Sequence, residues 1–176
     1  SHTKHYVGTH DWSNYLNTVA YTDFFLAEIF QEFEERSLDN NTLFIFVGDH
    51  GEDFGQHGFA GHGFNVYNNS IRIPYILWNK ELIPEPIVVG GPHLDIDIVP
   101  TIIDLLGFEQ TGGFPGISVV QQPEKRGVHT TCIFRLCHGL VSRDLKFIYN
   151  GPNEPPELYD LTTDPHEYSN RINDLS

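Results

Sequence analysis

From Trp12 to Leu38 the apolar residues Leu16, Val19, Ala20, Phe24, Leu26, Ala27, Phe30 and Phe33 return at close to helical spacing, and Glu32, Glu34, Glu35 and Arg36 gather at the far end. That period predicts an amphipathic helix. The turn-rich Ser37-Leu38-Asp39-Asn40-Asn41 stops it. The pattern then changes to an unbroken apolar run, Leu43 to Val47, as in a strand covered on both faces. Helix, turn and strand in that order is the rhythm of a parallel α/β sheet.

The stretch from Gly51 to Asn69 is rich in Gly, His and Asn and too polar for a core element, so it reads as a long loop of the kind that carries function. Ile71 to Trp78 resumes as a strand, with Pro74 arguing for an edge or a strand start. After a connector from Asn79 to Pro92, Asp95 to Gly107 reads as a helix with Pro100 in its first turns and Gly107 as its stop. Beyond Gly112-Gly113-Phe114-Pro115-Gly116 the style shifts to short β runs, Val128 to Leu136, Gly139 to Ser142 and Lys146 to Tyr149. These predict a small antiparallel sheet. The tail from Pro152 to Ser176 has too little apolar content for a core of its own. The expected division is therefore an α/β portion over residues 1–122 and a small antiparallel β subdomain with its tail over 123–176.

Composition narrows the partners. At 176 residues and 39% hydrophobic the chain can bury a real core, as one domain or a large part of one. Its net charge of −14 repels a phosphate backbone, which argues against nucleic acid. Ten His, roughly twice the usual share, matter more, because imidazole binds metals and moves protons near neutral pH. Cys132 and Cys137 could form one short bridge, although two ordinary strand residues are the preferred reading. No apolar run reaches the ~20 residues that span a bilayer, and no signal peptide opens the chain. The chain contains no Met, as expected of a segment of a longer protein whose targeting signal or membrane attachment lies upstream. The sequons at Asn40 and Asn68 point to a secretory, extracellular or membrane-associated setting.

Candidate chemistry collects where the first strand ends. Asp49 followed at once by His50 offers a hard oxygen and a borderline nitrogen to one cavity, a pairing that suits a divalent cation. His57 and His62 follow in a glycine-rich stretch whose backbone can fold close to a ligand. Glu52 reads as an orienting partner rather than a ligand, His57 as a residue that orders the loop, and Arg72 as solvated. Asp95 and Asp97 read as caps for their helix. His93, His129, His138 and His166 read as ordinary.

Taken in order, the acidic helix, the run Gly48-Asp49-His50-Gly51-Glu52-Asp53-Phe54-Gly55-Gln56-His57-Gly58, and Ile71-Arg72-Ile73-Pro74 resemble the C-terminal half of a sulfatase, within the alkaline-phosphatase superfamily. Asp95-Ile96-Asp97-Ile98-Val99-Pro100-Thr101 with Leu105-Leu106-Gly107 is similar to that family's next helix. Glu157-Leu158-Tyr159-Asp160-Leu161 with Asp164-Pro165 is similar to its closing segment. The resemblance implies an α/β fold, the C-terminal portion of a sulfatase-like sheet flanked by helices, with a small antiparallel C-terminal sheet.

It also implies a sulfuric ester hydrolase acting on a small-molecule or glycan sulfate ester. Asp49 and His50 would complete its metal site, and His62 and His5 would serve the anion and its leaving group. His5, in Thr3-Lys4-His5-Tyr6, resembles a His-Pro-Tyr segment of the family without its proline, and His2 is an alternative alignment. Many sulfatases have Asn where His50 stands and hold calcium, the expected ion, whereas relatives with His there hold zinc or manganese. The family's Cys-X-Pro-Ser-Arg or Ser-X-Pro-Ser-Arg motif, source of the formylglycine nucleophile, is not in these residues and is expected upstream. The fragment alone is accordingly expected to be inactive. Two rival readings are a phosphoethanolamine or glycerol-phosphate transferase of the same superfamily and a non-catalytic binding relic of the scaffold. Oligomeric state is not legible.

Overall fold

The apolar period at the start of the chain becomes α1, Trp12–Glu35. It stops where Ser37 turns left-handed at φ 55°, with the Ser37 amide donating to Glu34 O at 3.0 Å and the Leu38 amide to Phe33 O at 2.9 Å. Those two bonds occupy carbonyls that the last turn would otherwise leave open. The computed structural model describes residues 12–121 and 126–175. They belong to two compact units, one ending at Pro86 and the other beginning at Ile87.

In the first unit α1 is followed by β1 (Phe44–Val47), a miniature hairpin of β2 (Asp53–Phe54) and β3 (Ala60–Gly61), the single-turn α2 (Asn68–Ile71), and β4 (Tyr75–Trp78). Phe30 and Phe33, one turn apart on α1, lie over Phe44 with ring centroids 4.7 and 5.0 Å away, and Phe30 also meets Trp78 edge-on at 5.0 Å. These rings hold the helix to the strands. β1 and β4 pair antiparallel, Phe44 opposite Trp78 and Val47 opposite Tyr75, which corrects the parallel pairing expected from helix, turn and strand. A parallel return needs a crossover of about a dozen residues or more, usually a helix. Between these strands lie only the β2–β3 hairpin and a four-residue helix.

The strand expected over residues 71–78 is correspondingly shorter. Ile71 closes α2, with the Arg72 amide donating to Asn68 O at 2.8 Å, and β4 starts directly after Pro74. The proline thus sits at a strand start, where its missing N–H breaks no ladder bond.

In the second unit a 3-10 turn at Asp95–Asp97 leads into α3, Ile98–Leu105, with Pro100 in its first turn. The capping role expected of Asp97 is observed: its Oδ2 accepts from the Leu94 amide at 2.8 Å. Its Oδ1 goes further, taking the Ile117 amide at 2.9 Å and Arg126 Nη1 at 2.5 Å, which pins the following loop to the helix start. Four strands then form one antiparallel sheet: β5 (Gly127–Thr131), β6 (His138–Ser142), β7 (Leu145–Tyr149) and β8 (Glu157–Asp160). The small antiparallel sheet is as expected, but it recruits β8 from the tail. Tyr159, buried among Val128 and Ile148, shows why, because Glu157-Leu158-Tyr159 alternates with the strand period.

The preferred reading of the two cysteines is corrected. Cys132 and Cys137 are joined by a disulfide that closes the β5–β6 turn, and neither lies in a strand. Their backbones already pair there, the Cys132 amide donating to Cys137 O at 3.1 Å. No helix among the described residues is long and apolar enough to cross a membrane.

Candidate active site

β1 carries the chain to Val47, and the Gly48 amide extends the pairing by donating to Pro74 O at 3.2 Å. The next two residues leave the sheet. Asp49 is 89% exposed at its side chain and accepts the His50 amide through Oδ1 at 3.0 Å. Its Oδ2 stands 3.7 Å from His50 Nε2. Two ligands of one ion at roughly 2.0–2.3 Å can span that separation.

The His50 ring is oriented from behind. Nδ1 lies 2.8 Å from Gly51 O. A carbonyl only accepts, so Nδ1 carries the proton and Nε2 keeps its lone pair for a metal. His62 is held in the same way, with Nδ1 3.1 Å from Glu52 Oε2. That contact sets the Glu52 carboxylate where an orienting partner of the imidazole would stand. The His50 and His62 rings lie face to face, centroids 3.7 Å apart and 24° from parallel. Ligand atoms of His50, Glu52 and His62 all fall within 4.8 Å of one another. Two imidazoles with carboxylates close by form a nitrogen and oxygen donor set that fits a divalent ion, and it suits zinc or manganese at least as well as calcium.

The scaffold beneath is tightly specified. Gly51 passes so near α2 that an added Cβ would lie 2.0 Å from Asn69 O, so only glycine fits, and its amide donates to Ser70 O at 2.8 Å. β2 and β3 pair Asp53 with Gly61, and continuing that register sets Glu52 opposite His62. Gly61 and Gly63 flank His62 with φ of 89° and 82°, a left-handed backbone that bends the chain sharply on both sides of the imidazole. Asp53 turns to the opposite side and is fully buried. Its Oδ2 accepts Asn65 Nδ2 at 2.7 Å and the Ser70 hydroxyl, which ties the hairpin to α2.

Of the residues singled out from the sequence, Asp49, His50 and His62 therefore share one locality, and His57 stacks on Tyr67 at 3.8 Å, ordering the loop as expected. His5 and His2 lie outside the described residues. The anchor formed by Asp53, Asn65 and Ser70 went unread, since its members are 12 and 17 residues apart. His129 and His138, read as ordinary, face each other across β5 and β6, with Nε2 and Nδ1 3.1 Å apart.

The sulfatase family model matches residues 2–108. The chain belongs to the sulfatase family. It is 26% identical over 174 residues to an arylsulfatase of Clostridium perfringens, a match over 90% of this chain and 35% of that one. Over 176 residues it is also 26% identical to an N-acetylglucosamine-6-O-sulfatase of Bacteroides thetaiotaomicron, covering 89% and 31%. Among solved structures it superposes with a TM-score of 0.69 on BT4656 in complex with its substrate D-glucosamine-2-N,6-O-disulfate, at 24% identity, over 92% of this chain and 36% of that one. The fold is thus the α/β sulfatase fold, with a small antiparallel sheet following. The sulfatase chain spans about a third of the length of the curated relatives it matches.

Proposed function

We propose that the full-length protein hydrolyses sulfuric esters, with Asp49 and His50 of this chain holding a divalent ion and His62 serving the ester's departing oxygen. Family membership supports the reaction class, and the pairing of Glu52 with His62 against the His50 ring carries the assignment of roles. Bound there, the ion would draw charge from the sulfate oxygens and activate the nucleophile, which we infer to be a formylglycine upstream of these residues. His62, its Nδ1 proton held by Glu52, presents Nε2 to the anion. Protonated, it donates to the leaving oxygen while the Glu52 carboxylate balances its charge. His5 is proposed for the same side of the reaction, and calcium, zinc or manganese for the ion. An imidazole in the donor set gives zinc and manganese a stronger claim than an all-oxygen site would. The substrate we infer is a sugar sulfate, in keeping with the amino-sugar sulfatase among its relatives, met on a secretory or extracellular route.

Metal analysis of the full-length protein, with Asp49→Ala as the comparison, tests this reading. Metal content per molecule should fall in the variant, and sulfate release should drop by about 10²-fold or more, the scale of losing an electrostatic contact made in the transition state. Unchanged metal content would remove Asp49 from the site. Faster turnover of a phosphate ester than of the matching sulfate ester would favour the phosphotransfer reading.

A further inference from the structure

Two aromatic side chains at the start of α1 stand away from the core. Trp12 is 52% exposed and Tyr15 41% exposed, yet neither is loose. Their rings stack with centroids 5.7 Å apart and 21° between planes, and both meet Phe54 edge-on, at 4.8 Å from Trp12 and 5.0 Å from Tyr15. Phe54 belongs to β2, two residues beyond Glu52. Side chains two apart on a strand share a face, with Cα atoms about 7 Å apart. Asp53, between them, is buried on the other side. Extended one residue back from β2, that alternation sets the cluster on the side of the hairpin that carries the Glu52–His62 pair, two residues along the chain from Glu52.

We propose that Trp12 and Tyr15, braced on Phe54, form a platform that receives the sugar ring of a sulfated sugar whose ester group lies at His50 and His62. This rests on the function proposed above. The faces of a pyranose ring carry C–H groups, and a broad aromatic surface held in place by a third ring can cover them while the hydroxyls stay in water. Trp and Tyr supply such area with few rotatable bonds to freeze, and bracing against Phe54 removes part of that loss in advance.

The test uses the full-length protein and three substrates: glucosamine 6-sulfate, ethyl sulfate and choline sulfate. Trp12→Ala should lower kcat/KM for glucosamine 6-sulfate by about 10-fold, mainly through KM, with ethyl sulfate unchanged and Trp12→Phe retaining most of the wild-type value. An equal loss on ethyl sulfate would show a scaffold role and overturn the proposal, as would no loss at all or a loss confined to choline sulfate. Saturation-transfer NMR with unsulfated glucosamine separates this idea from the reaction itself. Transfer to the ring C–H protons should be clear in the wild type and reduced in Trp12→Ala whether or not any ester is cleaved, and equal transfer in both would refute the platform. Failure of the wild type to release sulfate from any ester would count against the proposed function alone.

Discussion

Replacing Glu167 by Ala should be among the most damaging single changes in the second unit. Lys146 on β7 and Glu167 are 0% and 1% exposed at their side chains, with Nζ and Oε1 2.5 Å apart. Burial pushes the Lys146 ammonium below its usual range, while Glu167 and, from further off, Glu157 work to keep it charged. Without Glu167 the ammonium is left inside the unit with its principal counter-charge gone. Breaking a buried pair from one side costs about 3–5 kcal/mol, whereas exchanging both members for apolar residues of similar volume is often close to neutral. Glu167→Ala should lose about 3–5 kcal/mol, and Lys146→Met with Glu167→Leu should recover most of it. Backbone strain is a separate contribution: Glu167 has φ 59°, and a left-handed conformation costs an L-residue roughly 1–2 kcal/mol, so Glu167→Gly should fare slightly better than Glu167→Ala. The pH dependence has a definite sign. A lysine whose folded-state pKa is depressed imposes its full penalty below that value. Between it and the unfolded value of about 10.4, the unfolded chain holds the extra proton, so this group's contribution to stability rises with pH. The deficit of Glu167→Ala should therefore shrink as pH is raised towards 10. Urea unfolding followed by circular dichroism at pH 7 and pH 9.5 measures both effects. A loss under about 1 kcal/mol, or a double variant as unstable as the summed single variants, would refute the reasoning.

Two further outcomes can be checked on the same protein. Asp53→Ala removes the acceptor of the Asn65 amide and the Ser70 hydroxyl, so roughly 1–3 kcal/mol should be lost for each buried donor left unsatisfied, read by urea unfolding, and an unchanged midpoint would refute the anchoring role. Burial opposes the charge of Asp97, yet Arg126 and the Ile117 and Leu94 amides outweigh it and hold the carboxyl below its usual range. A depressed carboxylate stabilises the fold above the unfolded pKa of about 3.9 and loses that stabilisation as pH falls through the folded value, so Asp97→Asn should be less stable than the wild type at pH 7 and flatter in acid. Parallel acid profiles would contradict this.

What the sequence made legible was what neighbouring residues decide among themselves. The period of Leu16 to Phe33 specified α1, the apolar run to Val47 specified β1, and Asp49-His50-Gly51-Glu52 marked the junction because charge followed closely on an apolar strand. The direction in which β4 joins β1 was not local. It depends on whether the intervening 27 residues can build a crossover, and their polar, glycine-rich stretch from Gly51 to Asn69 holds no helix long enough for one. β8 was missed for a related reason. Glu157 to Asp160 has too few apolar residues to form a core alone, but as the fourth strand it needs only Tyr159 on the inner face, since β7 supplies the rest. The His129–His138 contact likewise exists only in one register of β5 on β6.

Register also explains why the candidate site depends on a residue that never touches it. In a strand a slip of one position exchanges the two faces. With Asp53 opposite Gly61, Glu52 reaches His62, Phe54 lies on the same side under Trp12 and Tyr15, and the Asp53 carboxylate turns inward to Asn65 and Ser70. A slipped hairpin would bury Glu52, detach His62 from its orienting carboxylate and carry Phe54 away from α1. The β2–β3 ladder is only two residues on each strand, too short to resist such a slip by backbone pairing alone. The inward hydrogen bonds of Asp53 supply the missing discrimination, because in the slipped state two buried donors would lose their acceptor. His62, and with it the ring face that meets His50, is thus placed by a carboxylate on the opposite face of the hairpin.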